Sequence, residues 1–261
     1  MSERRPPLPV MVLAGVAVLF VVLPLAGLLA RAHWDTVLTQ LGSATVLDAL
    51  RLSLLTATAA LAASLLVGVP LAIVLARVRF PGRSLVRAVV TLPMVLPPVV
   101  GGVALLLAFG RNGLLGAPLY SLTGWSLPFT TAGAVVAETF VAMPFLVVAV
   151  EAGVHQLDER WEEAAAAMGA GPWARLRRVT LPLVAPSLGA GAALCWARAL
   201  GEFGATITFA GNLQGRTQTV PLAVYVALED NPDGAIALAL LMVAVSLAVL
   251  VLLRHRWLGG T

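Results

Sequence analysis

Six stretches of the chain are long and apolar enough to cross a lipid bilayer: about Leu8–Ala30, Leu52–Ala76, Ala88–Phe109, Thr131–Val154, Leu183–Ile207 and Gly234–Leu253. A helix rises about 1.5 Å per residue, so roughly 20 apolar residues traverse a hydrocarbon core about 30 Å thick. The pattern predicts an all-α integral membrane protein with six transmembrane helices. Arg4 and Arg5 before the first run and Ala30-Arg31-Ala32 after it resemble a secretory signal with its cleavage site. The apolar run is too long for that, and the segment is read as a retained span. The third span contains Pro97, Pro98, Gly101 and Gly102 and is expected to bend and pack closely. Val90–Pro97 (VTLPMVLP) echoes Val179–Pro186 (VTLPLVAP), each following an arginine cluster. The echo is read as two similar ways of entering a membrane after a basic turn rather than as a duplication.

Composition sharpens this picture. Charged residues make up 11% of the 261, less than half of the roughly 25% usual in soluble domains. Every basic residue apart from three histidines is arginine, and the missing lysine excludes a nucleotide-hydrolysing phosphate loop. The net charge of +4 reflects arginines in membrane loops rather than nucleic-acid binding, so no nucleic-acid partner is expected. Cys195 is the single cysteine, so no internal disulfide forms, and it lies in an apolar run where it reads as core together with Met143.

Arginine placement sets the orientation. With the N-terminus inside, twelve arginines (4, 5, 77, 79, 83, 87, 160, 175, 177, 178, 254 and 256) fall in cytoplasmic segments and four (31, 51, 111 and 216) outside, leaving Arg198 within a span. Both termini are expected in the cytoplasm. The outer segments are then Gly110–Thr130, with Tyr120 and Trp125 as interface anchors, and about Gly211–Asp233.

One cytoplasmic stretch, Trp161–Pro182, concentrates charge around two glycines and a proline. Read as a helix from about Leu157, it places Trp161, Ala164, Ala165 and Met168 on one face, with Glu159, Glu162 and Glu163 over the rest. Gly169 suits the left-handed residue that ends a helix. Gly171-Pro172 fits the cap and first position of a second short helix, Trp173–Val179, which carries Arg175, Arg177 and Arg178. Leu181-Pro182 is expected to turn the chain back into the membrane. The three glutamates oppose an anionic inner leaflet, so the helix reads as one that docks on a cytoplasmic protein.

The same residues carry a resemblance. Glu163-Ala164-Ala165, three residues, Gly169, nine residues, Val179, one residue and Leu181-Pro182 resemble the EAA loop of permease subunits of binding-protein-dependent ABC importers, with Val where Ile is commonest. The resemblance covers about Leu50 to Arg256. It implies a type I importer fold whose coupling loop, about residues 155–182, inserts into a cleft of a separate ATP-hydrolysing subunit. The ATPase-coupling set would be Trp161, Glu162, Glu163, Ala164, Ala165, Met168, Gly169, Leu181 and Pro182. The implied layout is an N-terminal helix and outer loop (1–44), a permease domain (45–256) and a short cytoplasmic tail (257–261). Ala197–Tyr225 (ARALGEFGATITFAGNLQGRTQTVPLAVY) resembles the fifth span and following loop of molybdate permeases, with sulfate and thiosulfate permeases as the close alternative.

That resemblance implies two ATPase copies using ATP-Mg, a second permease copy forming a homodimer, and an extracytoplasmic molybdate-binding protein. The setting would be the lipid bilayer of a bacterial or archaeal inner membrane, with molybdate or tungstate as cargo. No cofactor or metal is expected on this chain, and no catalytic residue, because it would be a transport subunit and not an enzyme.

Polar groups inside spans stay open at this level. Arg198 and Glu202, four apart, share a face: they are either a self-neutralising packing pair or part of a translocation pathway or dimer interface. Gly201 and Gly204 would let helices approach closely there. Thr206 and Thr208 either offer hydroxyls to an anion or bond back to their own helix. Glu138 is equally ambiguous. An ion-coupled secondary transporter would show paired half-repeats or a proton relay, and only the short echo is present. His33, His155 and His255 fall outside the spans, and no hydrolase motif occurs.

Overall fold

A computed structural model describes residues 7–257 of the chain. The expectations for Arg4, Arg5 and tail residues 258–261 lie outside the described residues. Helix starts follow local chemistry. Pro7 leads into α1 (Leu8–Arg31), with proline again in the first turn. After α2 (Trp34–Leu41), the Ser43 hydroxyl accepts from the Val46 amide and caps α3 (Ala44–Arg77). Next come α4 (Arg83–Thr91), a 3₁₀ turn (Leu92–Met94), α5 (Pro98–Phe109) and α6 (Gly116–Thr123). Thr130 caps α7 (Thr131–His155) through the Gly133 amide at 3.0 Å. The chain continues through α8 (Arg160–Ala167), α9 (Pro172–Arg175), a π turn (Leu176–Thr180), α10 (Leu181–Leu183) and α11 (Ala185–Leu200). It ends with α12 (Gly204–Phe209), α13 (Val220–Asp230) and α14 (Pro232–Trp257), and no strand occurs among the described residues.

The centre is a three-helix packing of α3, α7 and α11. Ala57, Ala60, Ala72 and Leu75 of α3 meet Ala142, Leu146, Val147 and Val150 of α7, with Cys195, Ala199 and Leu200 closing the cluster from α11. Small residues set the spacing, because lipid supplies no hydrophobic drive between helices. A Cβ on Gly191 would stand 2.8 Å from the Ala149 Cβ, and one on Gly102 would stand 2.5 Å from the Thr208 Cβ. Either would force its helix pair apart. α1 has no buried residue and makes limited contact with α14, so most of its apolar surface is left uncovered.

Two expected spans are broken. The third is α4 with its 3₁₀ turn and then α5, meeting at 117°, because Pro93, Pro97 and Pro98 remove successive backbone donors. The fifth, expected to run straight from Leu183 to Ile207, instead bends by 70° between α10 and α11 and stops at Leu200, before α12 restarts at Gly204. Four helices are long and apolar enough to cross a membrane, or six if each bent pair counts as one span. The segments expected as outer loops also hold helices: α2, α6 and α13.

The molecule has two chemically distinct poles. At one, Arg77, Arg83, Arg87 and the α8–α10 loop gather around the ends of α3 and α7. At the other, Thr131 bonds to the Arg216 carbonyl, Gln214 to Thr45, and Asn231 to Gln40.

Candidate functional site

At the arginine-rich pole the chain leaves α7 and makes a tight turn. The Asp158 carboxylate accepts from the Arg160 amide at 3.0 Å and from the Arg160 guanidinium. Those side-chain and backbone bonds hold the Asp158 carboxyl below its ordinary range. α8 then runs for two turns and ends at Gly169, whose φ of +84° is the left-handed cap expected there. The amides of Gly169 and Ala170 return to the carbonyls of Ala166 and Ala165, satisfying the helix end. Gly171 caps α9, and Pro172 takes its first position.

The two faces of α8 differ sharply. Trp161 is 62% exposed, Met168 82%, and nearby Trp173 72%, with Glu163 and Ala164 exposed beside them. These bulky apolar groups stand out from the pole. The opposite stripe is Glu162 and Ala165, spaced i and i+3. Ala165 is buried, and the Glu162 carboxylate takes a two-pronged bond from the Arg77 guanidinium at 2.5 and 2.9 Å. The Thr180 hydroxyl donates to the same carboxylate. Burial alone would raise the Glu162 pKa. The bonds from Arg77 and Thr180, with the charges of Arg77 and Arg175, outweigh it and hold the carboxyl below its ordinary range. Behind α8 lies a cavity of about 270 Å³ bordered by Ile73, Arg77, Glu162, Arg175 and Thr180.

This arrangement corrects two expectations. Ala165 does not share the exposed face with Trp161 and Met168 but is buried, and Glu162 parts from the exposed Glu159 and Glu163 because its carboxylate turns in to Arg77 of α3. Leu181 and Pro182 do not form the corner either. They continue the π turn as α10, and the bend comes after them at Val184.

A second polar cluster lies at the broken fifth helix. Arg198 Nη2 sits 2.6 Å from Glu202 Oε2, with the Glu202 side chain only 1% exposed. Glu202 has left α11, however, and its other oxygen accepts from the Ala205 amide at 2.7 Å, capping α12. A carboxylate at a helix N-terminus also meets the positive end of the helix dipole. Gly204 presses against Pro98 at the foot of α5. Thr208 donates back to the Gly204 carbonyl within its own helix, whereas the fully buried Thr206 hydroxyl has no partner. Glu138 of α7 accepts from Thr56 of α3 at 2.8 Å through one oxygen, and its other oxygen is unpartnered. The structure thus brings Arg198, Glu202 and Gly204 together at one break, with Thr206 a turn beyond and Thr208 turned aside.

Sequence reasoning missed the ion pairs that tie the loops to the bundle. Arg87 of α4 grips Glu151 of α7, with His155 one turn beyond. The available signal was an acidic residue near the end of an apolar span, four residues from a histidine. Among the described residues, no group of histidines, cysteines and carboxylates is arranged to hold a metal ion.

Comparisons with known proteins agree with this geometry. Residues 68–258 match the family "Binding-protein-dependent transport system inner membrane component". The chain is 44% identical to the "Molybdenum transport system permease protein ModB" of Mycobacterium tuberculosis over 244 residues, 94% of this chain and 92% of that one. It is 36% identical to the "Sulfate transport system permease protein CysW" of Synechococcus elongatus, covering 96% of this chain and 90% of that one. A crystal structure of a bacterial ABC transporter that imports the acidic polysaccharide alginate superposes with a TM-score of 0.75 at 18% identity, covering 95% of this chain and 93% of that one. An all-helical bundle with broken spans, a looped-out helix pair at its arginine-rich pole and a matched family model have one reading: this chain is a multi-pass membrane protein of the inner-membrane component family of binding-protein-dependent ABC importers, with the type I permease fold.

Proposed function

We propose that this chain is the permease through which an ATP-driven importer moves molybdate across the inner membrane. It would work as one of two identical copies beneath an extracytoplasmic molybdate-binding protein and above two ATPase subunits. The observation that carries the coupling role is the outward cluster of Trp161, Met168 and Trp173, bulky apolar side chains left mostly exposed. Such a patch on a short helix with a glycine stop fits the cleft of a second protein. The ATPases bind ATP-Mg, and this chain binds no cofactor. Their closure draws the two coupling loops together and opens the pathway outward, where the binding protein releases its anion. Hydrolysis resets it inward. Both termini then lie in the cytoplasm with the arginine-rich pole.

The molybdate assignment rests on the named relatives and on Ala197–Tyr225, not on an anion site. The sulfate relative keeps sulfate or thiosulfate as the second reading. The deciding experiment is uptake of radiolabelled molybdate into vesicles holding permease, ATPase, binding protein and ATP. Competition by excess molybdate or tungstate but not by sulfate is expected. Equal competition by sulfate would move the assignment to the second reading.

A further inference from the structure

We propose that Glu162 is a positioning residue that yokes the coupling helix to the membrane bundle. Through Arg77 it ties α8 to the end of α3, and through Thr180 to the segment leading into α11, so that α8 moves both helices together. The proposal rests on α8 being the ATPase-docking element. Its first support is division of labour on one short helix: of two adjacent glutamates, Glu163 faces out and Glu162 faces in, with its side chain 16% exposed. The second is geometry. A two-pronged guanidinium–carboxylate bond fixes orientation as well as distance, which a single contact between flexible side chains does not.

The third support is what stands behind each partner. Arg77 closes a helix whose preceding turns place Ala72 and Leu75, both fully buried, in the central cluster. Thr180 is 3% exposed and ends the π turn. A π turn carries one residue more than an α turn. That extra residue sets Thr180 against α8, while its neighbours Arg177 and Arg178 stay exposed. Three segments distant in sequence thereby meet on one carboxylate. Isolated exposed pairs stabilise little, but a partly buried carboxylate holding three donors resists being pulled apart.

The experiment uses the full importer in vesicles. Glu162→Gln keeps the side-chain length and the Thr180 bond but removes the charge. Expected is retained capture of the ATPase in a pull-down, with molybdate imported per ATP hydrolysed falling roughly tenfold, a typical size for coupling between two sites. The exchange Arg77→Glu with Glu162→Arg should restore most of that ratio, which no loss of fold would do. Thr180→Val, lacking only the hydroxyl, should lower the ratio by a smaller factor and serves where Glu162→Gln folds poorly. Parent-like coupling in both Glu162→Gln and Thr180→Val, or loss of ATPase capture in Glu162→Gln, would overturn the yoke. Met168→Asp on the outer face separates the two ideas: undiminished ATPase capture in that variant would remove the docking reading itself.

Discussion

Gly169 shows how much can hang on one backbone angle. Its φ of +84° lies in the left-handed region, and a Cβ placed there would meet nothing within 4 Å. The cost of replacing it is therefore conformational, roughly 1–2 kcal/mol for an ordinary L-residue and more for a branched one. Gly169→Val should leave the spans inserted while turning α8 away from its seat, with ATPase capture and molybdate-stimulated hydrolysis both reduced. Gly169→Asn should be milder. Transport by Gly169→Val at the parent rate would count against the coupling-helix reading. Glu162 offers a different handle. A carboxyl held below its unfolded pKa, about 4.3, adds stability that is fully present above that value and fades as pH falls through the lower folded one. Trp161 fluorescence in nanodiscs should accordingly be steady from pH 7 to about 5 and change below about 4. The Glu162→Gln protein should keep only the smaller part of that transition that Asp158, held down by Arg160, contributes.

Among the elements, the break between α11 and α12 invites the most direct test. Glu202 serves Arg198 with one oxygen and the Ala205 amide with the other. Glu202→Gln keeps an acceptor for the cap but leaves Arg198 without its counter-charge, so lower thermal stability and lower uptake are expected. Arg198→Gln with Glu202→Gln together should recover stability. Recovery of uptake as well would mark the pair as packing, and recovery of stability alone would mark it as part of the pathway. This break was not legible in the sequence. Apolar length is a local property, so the spans could be placed, and the prolines at 97 and 98 announced the bend at α5. Gly201-Glu202-Phe203 contains no proline, and its apolar surroundings read as unbroken helix. What ends α11 is Glu202 turning forward to cap α12, a choice made by tertiary contacts. α8 was misread for a related reason. Periodicity put Trp161, Ala165 and Met168 on one face, but Ala165, three residues from Glu162, falls on the buried side, a difference that only the contacts of Glu162 decide. Here alanine and a paired glutamate face the bundle, and tryptophan and methionine face away.

For the whole molecule, the poles make a topology prediction. A reporter fused in the loop near Arg83 should read cytoplasmic, and one near Leu122 of α6 extracytoplasmic. Arg77, Arg83 and Arg87 cluster with the coupling loop at one pole, and α6 lies in the segment joining α5 and α7 away from it. A cytoplasmic signal at Leu122 would overturn the span assignment. One feature of the interior bears on energetics rather than orientation. Near the α11–α12 break, one oxygen of Glu138 and the hydroxyl of Thr206 are buried without a partner in the chain. Lipid can offer them no hydrogen bond, and interrupted helices persist at membrane depth only where protein or water surrounds them. Those groups are therefore open to any polar molecule that reaches the break. A water that bridges such groups is nearly as favourable as a direct bond, and its release returns up to about 2 kcal/mol of immobilisation entropy. Were the pathway to run past this break, an anion could trade part of its hydration shell for these polar groups without meeting a dedicated cage, the property that lets cargo enter and still leave.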